Sequence, residues 1–126
     1  MSDQTDKNKS LMWRIYTEMW NQSNPALANE IFAQPAGVER FVSQFLISFP
    51  DLRHTVEDMI TEEDRVAVRF IARGTNHGAW LHFAPTGISI EYSGVTLARI
   101  AKDKIIEHHT WWDKAGLIEQ LQKPKA

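Results

Sequence analysis

The side chains best suited to proton transfer lie near the end of the sequence, in a Glu-His-His-Thr-Trp-Trp-Asp run that ends at Asp113. Side chains alternate between the two faces of a strand, so His108, Thr110 and Trp112 are predicted to share one face. An imidazole changes its charge near neutral pH, and His108 could therefore act as a general acid or base. The same spacing also fits a histidine that is hydrogen-bonded in a core or solvated, and both interpretations stay open.

Aromatic side chains elsewhere could line a binding pocket. Tyr16 and Trp20 share one face of a predicted helix, where they form either core or pocket. Tyr92 lies on a predicted strand, and either Tyr92 or Tyr16 could hydrogen-bond a developing oxyanion. Arg69 alternates with the apolar residues of its strand, so it either faces solvent or binds a carboxylate or an anionic ligand.

The spacing of the apolar residues changes along the chain from the helical period to the alternation of strands. Helices come first and long strands follow, which predicts an α+β fold with N-terminal helices packed on a curved antiparallel β-sheet. Ser10 is the predicted N-cap of the first helix, and Asp113 is predicted to cap a short C-terminal helix. The predicted helices cover residues 11–20, 25–33 and 38–48, and the predicted strands cover residues 52–60, 65–73, 88–100, with a bulge or bend at Gly94, and 104–112.

Composition excludes several classes of function. The chain has 126 residues, a net charge of −2, a pI near 6.2 and no cysteine. It therefore offers no thiolate chemistry, and without a basic run it is not expected to bind nucleic acid. No apolar stretch approaches the roughly 20 residues of a membrane span, and the polar N-terminus lacks a signal peptide, so a cytoplasmic location is expected. The five histidines show no metal-site spacing, and neither a metal nor a cofactor is expected.

Taken in order, a set of short motifs resembles the SnoaL-like polyketide cyclase family, also called ester cyclases. The resemblance covers about residues 11–122. Its motifs are Trp20-Asn21, Phe49-Pro50-Asp51-Leu52, Asp64 to Phe70, Gly74-Thr75 with Gly78, Pro85-Thr86-Gly87, Ser93-Gly94, Arg99-Ile100, Lys104 to His108, Asp113 and Gln120-Leu121. The resemblance implies the cone fold of nuclear transport factor 2-like proteins, a small hydrophobic molecule in the cone, and a homodimer formed through the sheet face that carries His109 and Trp111.

Two departures from the family pattern bear on function. Only Gln34-Pro35-Ala36 separates the second helix from the third, so the family's short strand is expected to be missing and the pocket to be wider, shallower or closed by a neighbouring subunit. Thr110 occupies the position of the cyclases' acid/base aspartate, and Thr96 that of an accompanying histidine. A threonine hydroxyl cannot replace a carboxylate as proton shuttle, so the aldol cyclase mechanism is not expected.

Three hypotheses remain. In the first, the chain is an isomerase, cyclase or hydrolase acting on a small hydrophobic carbonyl compound, with His108 as catalytic residue. In the second it binds a hydrophobic ligand without changing it, and in the third it is a structural dimer with a collapsed cone. The expected domains are a disordered leader over residues 1–9, one domain over residues 10–122 and a tail over residues 123–126. Ligand contacts are expected from Tyr16, Trp20, Arg69, Tyr92, Thr96, Thr110 and Trp112.

Overall fold

A layer of helices packs on one face of a four-stranded antiparallel meander, as the computed structural model describes for residues 3–123. The α+β class predicted from the change of period is confirmed. The elements are α1 (Asp3–Arg14), a π-helical turn (Ile15–Trp20), a 3₁₀ turn (Pro25–Leu27), α2 (Ala28–Ile31), α3 (Ala36–Ser48), β1 (Arg53–Glu62), β2 (Arg65–Thr75), β3 (Ser89–Ala101), β4 (Lys104–Trp112) and α4 (Lys114–Gln122).

The first helix begins earlier than predicted. α1 starts at Asp3, so residues 3–9 are helical rather than a disordered leader, and Ser10 lies inside the helix instead of capping it. Asn8 is buried and accepts a hydrogen bond from Gln4, 2.8 Å long. α1 as a whole packs on β1 and β2, and tertiary packing of this kind stabilises helices beyond what their own sequence favours. Residues 1–2 of the predicted leader and residues 124–126 of the predicted tail lie outside the described residues.

The segment between α2 and α3 keeps only a trace of a strand. Phe32 forms an isolated parallel bridge with Ile105, and the Ala33 N–H donates to the Ile105 carbonyl over 2.9 Å. Three residues later α3 has begun. The prediction that a short strand is missing here is therefore confirmed, and most of the free edge of β4 has no neighbouring strand among the described residues.

The register of β2, β3 and β4 is unbroken around Gly94, in the middle of the sheet. Opposite positions include Phe70, Gly94 and Trp112 on β2, β3 and β4. Of the bulge or bend predicted at Gly94, the bulge is wrong, because the register shifts lie at Val56/Asp58 and at Arg99/Ile100. Gly94 serves close packing instead, since a Cβ there would stand 2.6 Å from the Phe70 ring and 2.8 Å from a carbonyl of β4.

One face of the sheet packs against the helices and the other is exposed. The apolar parity of β2 is buried as predicted, at Val66, Val68, Phe70 and Ala72. At the end of the sheet, Asp113 caps α4 by accepting from the Gly116 N–H over 2.8 Å, which confirms the predicted cap. None of the helices in residues 3–123 is long and apolar enough to cross a membrane.

Candidate functional site

A cavity of about 880 Å³ lies between the helices and the inner face of the sheet. This volume falls in the range of small-molecule sites, which are typically apolar with a few convergent polar groups. Its walls are largely aromatic, with polar atoms from both layers. The polar or polar-tipped side chains that line it include Tyr16, His54, Tyr92, Thr96, His108 and Thr110.

The helical wall comes from the π-helical turn. The Asn21 N–H donates to the Tyr16 carbonyl over 3.0 Å, five residues back along the chain, which widens this turn. The turn buries Tyr16 and Trp20 in the cavity wall. π-turns often occur at functional sites because the inserted residue redirects side chains. Here it directs both predicted helical ligand contacts into one cavity.

The hydroxyl groups of Thr110, Thr96 and Tyr16 are linked by hydrogen bonds in the cavity wall. The hydroxyls of Thr96 and Thr110 lie opposite each other on β3 and β4 and are hydrogen-bonded over 2.9 Å. Burial raises the pKa of Tyr16 to about 12, and hydrogen bonding with the Thr96 side chain opposes that rise. The Tyr16 phenol is therefore a neutral hydrogen-bond donor at physiological pH, and Thr96 is a buried partner for it.

Tyr92 and Trp112 form a second part of the sheet wall. Their ring centroids are 4.9 Å apart. Burial raises the pKa of Tyr92, so its hydroxyl keeps its proton. Within residues 3–123 that hydroxyl has no hydrogen-bond partner, although the side chain lines the cavity. Tyr92 is thus free to donate to a ligand oxygen.

His108 lies at the open side of the cavity, opposite Ala98 on β3. Phe32 contacts the imidazole edge-on, with ring centroids 4.9 Å apart. Partial burial and, secondarily, the charge of His109 lower the pKa of His108 below its ordinary value of 6.5. Its imidazole is consequently neutral at pH 7 and can accept a proton from a neighbouring molecule.

Arg69 lies outside the cavity. Its side chain projects from the exposed face of the sheet, where it forms an ion pair with Asp58 at 2.7 Å and remains 52% exposed. The solvent-facing interpretation of the strand alternation therefore describes Arg69, whose side chain does not line the cavity as the expected ligand contact requires. The other predicted contacts, at Tyr16, Trp20, Tyr92, Thr96, Thr110 and Trp112, all line the cavity with His108.

His54 is a cavity residue that the sequence analysis did not select. It lies on β1 opposite Ala72 and is only 5% exposed. The signal was present in the sequence, because His54 shares the strand parity of Leu52 and Val56, which mark the inner face. A histidine on the buried parity of a strand needs either a partner or a ligand.

The cavity opens beside the short connection between α2 and α3. Gln34, Pro35 and Ala36 form part of its rim. The adjacent half of β4 is exposed on both faces, from Glu107 to Trp111. No aspartate or glutamate of residues 3–123 lines this cavity, and no group of three potential metal ligands occurs in the same part of the chain. The polar side chains of the site are therefore hydroxyls, imidazoles and the Gln34 amide, without a carboxylate.

Comparisons with known proteins agree on the family and the fold. The family model for the SnoaL-like polyketide cyclases matches residues 10–121. No curated protein matches the sequence of this chain. Similar solved structures include AclR, a candidate hydroxylase from Streptomyces galilaeus, with a TM-score of 0.86 and 23% identity over 96% of this chain and 85% of that chain.

Two further structures extend this likeness. A candidate SnoaL-like polyketide cyclase from Jannaschia Sp. CCS1 gives a TM-score of 0.87 and 20% identity, covering 95% of this chain and 94% of that chain. The candidate polyketide cyclase IdmH from Streptomyces antibioticus gives a TM-score of 0.75 and 26% identity, covering 90% of this chain and 97% of that chain. The cone fold is thus shared with nuclear transport factor 2-like proteins, and the chain belongs to the SnoaL-like polyketide cyclase family.

Proposed function

We propose that the cavity binds a small hydrophobic carbonyl compound and that His108 exchanges a proton with its carbon skeleton, as in an isomerase, cyclase or hydrolase reaction. The observation that carries this proposal is the presence of a neutral, solvent-accessible imidazole in an aromatic cavity of about 880 Å³. Apolar walls would bind the skeleton, and the few polar groups would fix its orientation.

The proton transfer needs a base and an oxyanion donor. His108 would accept a proton from the carbon next to the carbonyl group, because its imidazole is neutral at pH 7. Negative charge would then develop on the carbonyl oxygen, where the unpartnered Tyr92 hydroxyl would donate a hydrogen bond. Returning the proton to a different carbon gives an isomer, and returning a solvent deuteron to the same carbon gives exchange.

The family's aspartate mechanism does not enter the proposal. Thr110 stands at the expected aspartate position and its hydroxyl is hydrogen-bonded to Thr96. These two hydroxyls can hold a polar atom of the ligand, but they cannot take up a proton near neutral pH. We therefore assign them to binding and leave proton exchange to His108.

The test uses 2-tetralone, a bicyclic ketone whose acidic carbon-bound protons exchange slowly with D₂O. The protein should accelerate this exchange, measured by NMR, and His108→Ala should slow it by at least about 100-fold. Calorimetric affinity for 2-tetralone should stay unchanged in that variant. His82→Ala, at an exposed loop residue outside the cavity, is the control for loss of an imidazole. Equal exchange rates in wild type and His108→Ala would remove His108 from the mechanism.

A non-catalytic binding protein is the second candidate. The Thr96–Thr110 hydrogen bond at the expected acid/base positions favours it, because it replaces proton-transfer groups by hydrogen-bonding groups. Native mass spectrometry of the purified protein separates the two proposals. A tightly held compound that is recovered chemically unchanged after incubation would support binding alone.

The exposed sheet face supports a homodimer. Apolar side chains emerge there on neighbouring strands, with Ile60 69%, Val95 40%, Leu97 37% and Trp111 60% exposed. The ring of His109 lies 5.8 Å from that of Trp111 on the same face. A second copy would bury this apolar surface. Sedimentation velocity should give a dimer for the wild type and a monomer for Trp111→Glu, and a monomeric wild type would contradict this assembly.

A further inference from the structure

We propose that His54 is a ligand-binding residue whose neutral imidazole donates a hydrogen bond from Nε2 to a carbonyl oxygen of the ligand. This inference rests on the proposed function only in taking the cavity as a ligand site. It gives the two cavity histidines different tasks, because His108 would exchange a proton while His54 keeps its own.

Aromatic rings enclose the His54 imidazole. Ring centroids of Trp20, Phe70 and Tyr16 lie 4.7, 5.1 and 5.6 Å from it. These neighbours hold the ring in place by packing and give it no charged partner. The side chain is 5% exposed and belongs to the cavity wall, so its accessible edge faces the cavity.

The backbone of His54 is fixed independently of the imidazole. The His54 N–H donates to Asn21 Oδ1 over 2.7 Å, and Asn21 Nδ2 donates to the His54 carbonyl over 2.9 Å. This pair of hydrogen bonds joins the start of β1 to the end of the π-helical turn. The main-chain groups of His54 are thus satisfied, while its side chain is placed at the cavity without a hydrogen-bond partner of its own.

Neither ring nitrogen has a protein partner among the described residues. Nδ1 is fully enclosed and unpaired, whereas Nε2 is unpaired but not fully enclosed. A buried N–H without an acceptor is rarer in proteins than a buried acceptor without a donor. Nδ1 is therefore assigned the lone pair and Nε2 the proton. That tautomer presents an N–H donor to the cavity, which suits a carbonyl oxygen.

Burial keeps this imidazole neutral. It lowers the pKa of His54 to about 3, and Tyr16, itself neutral, is the titratable group in contact with it. A neutral imidazole that donates to a carbonyl can polarise it without transferring a proton. The ligand class is consequently a flat, apolar ketone or aldehyde whose oxygen reaches the β1 side of the cavity.

Two matched compounds test the donor. In 2-acetylnaphthalene a carbonyl group stands where 2-isopropenylnaphthalene has a C=CH₂ group of similar shape, so only the first can accept a hydrogen bond. We expect the wild type to bind the ketone about 5- to 10-fold more tightly than the alkene, measured by competition calorimetry. In His54→Phe the preference should fall to about 2 or less, because only the Tyr92 hydroxyl then remains to donate to the oxygen, while exposed His82→Phe should keep the wild-type preference.

Each other outcome overturns the assignment. If His54→Phe keeps the preference, or Tyr92→Phe alone abolishes it, another group holds the oxygen and the cavity remains a ligand site. If the wild type binds both compounds equally, no group of the cavity donates a hydrogen bond to the carbonyl oxygen. If it binds neither compound, the inference fails together with the proposed ligand class, and 2-tetralone exchange then separates the two failures.

The free protein gives a second readout. Nitrogen-15 NMR of histidine-labelled protein should show His54 as a neutral imidazole protonated at Nε2 at pH 6, with that signal shifting when 2-acetylnaphthalene is added. An Nδ1–H tautomer or an imidazolium at this pH would overturn the proposal. His54→Leu replaces His54→Phe should the larger ring prevent folding, since both variants keep the main-chain bonds to Asn21.

Discussion

The β1 side and the β4 side of the cavity differ in how completely the protein encloses them. On the β1 side, Tyr16, His54 and Phe70 are at most 5% exposed and contact one another. On the β4 side, His108 and Thr110 are exposed and the strand edge beside them is nearly unpaired. The same residue type, histidine, occurs on both sides in opposite environments.

Enclosure determines what each histidine can do. An imidazole enclosed by aromatic rings stays neutral and can offer only a fixed hydrogen bond. An imidazole open to water can lose and regain a proton during turnover, because solvent restores its protonation state. The cavity thus opens to water at the His108 side, beside the short connection between α2 and α3, while aromatic rings enclose His54.

Truncating an enclosed and an exposed phenylalanine of the cavity wall should give the largest contrast. Phe70→Ala removes a ring that is 3% exposed and touches Tyr16, His54 and Tyr92, and should cost about 3–5 kcal/mol of unfolding free energy. Phe41→Ala removes a ring that is 51% exposed at the cavity mouth and should cost less than about 1 kcal/mol. Urea denaturation measures both losses, and equal losses would show that enclosure does not determine how much each ring stabilises the fold.

Lowering the pH should destabilise the protein through protonation of the enclosed His54. The pKa of His54 is about 3 in the folded chain against an ordinary value of 6.5, so the unfolded chain binds the proton more readily. The stability linked to this group is complete above pH 6.5 and falls as the pH drops towards 3. Between pH 6.5 and pH 4 the loss is about 3 kcal/mol.

The matched variant for this pH dependence is His54→Leu. Its unfolding free energy, measured by urea denaturation at several pH values, should fall less steeply than that of the wild type below pH 6.5. The exposed His108 contributes in the same direction in both proteins and cancels in the difference. Parallel curves for the two proteins would mean that His54 titrates normally in the folded state.

The link between the π-helical turn and β1 should have an intermediate effect. Asn21→Ala removes both hydrogen bonds to the main chain of His54 and should cost about 1–3 kcal/mol, because partly buried backbone groups lose their partners. Asn24→Ala, at an exposed position three residues later, is the control. If Asn21→Ala loses no more unfolding free energy than Asn24→Ala, other contacts position β1.

The sequence predicted the parts of the structure that local periodicity controls. Alternation in residues 65–73 and 104–112 placed β2 and β4, and the same alternation put Thr110 and Trp112 in the cavity with His108. Prediction from periodicity failed where contacts between residues distant in sequence determine the structure. The first turns of α1 are polar in sequence but continue a helix that packs on the sheet. Arg69 faces solvent because no layer of residues 3–123 covers the exposed sheet face.

His54 was missed for a related reason. Its strand parity was visible, but only the assembled rings of Trp20 and Phe70 show that the imidazole has no protein partner. Whether a buried polar atom is satisfied depends on residues far apart in sequence, such as residues 20 and 70. Unsatisfied groups of this kind are therefore read from a structure and not from periodicity.

The smallest effect on stability is expected on the open side, at Thr110. Because Thr110 is exposed and an aspartate can still accept a hydrogen bond from Thr96, Thr110→Asp should change the unfolding free energy by less than about 0.5 kcal/mol. A carboxylate can accept the proton that a threonine hydroxyl cannot, so deuterium exchange into 2-tetralone should accelerate. Thr110→Asn has nearly the same shape without the base and should show no such gain. If both variants exchange alike, a base at the open side does not limit the reaction, and the contrast drawn between the two sides would hold for packing but not for chemistry.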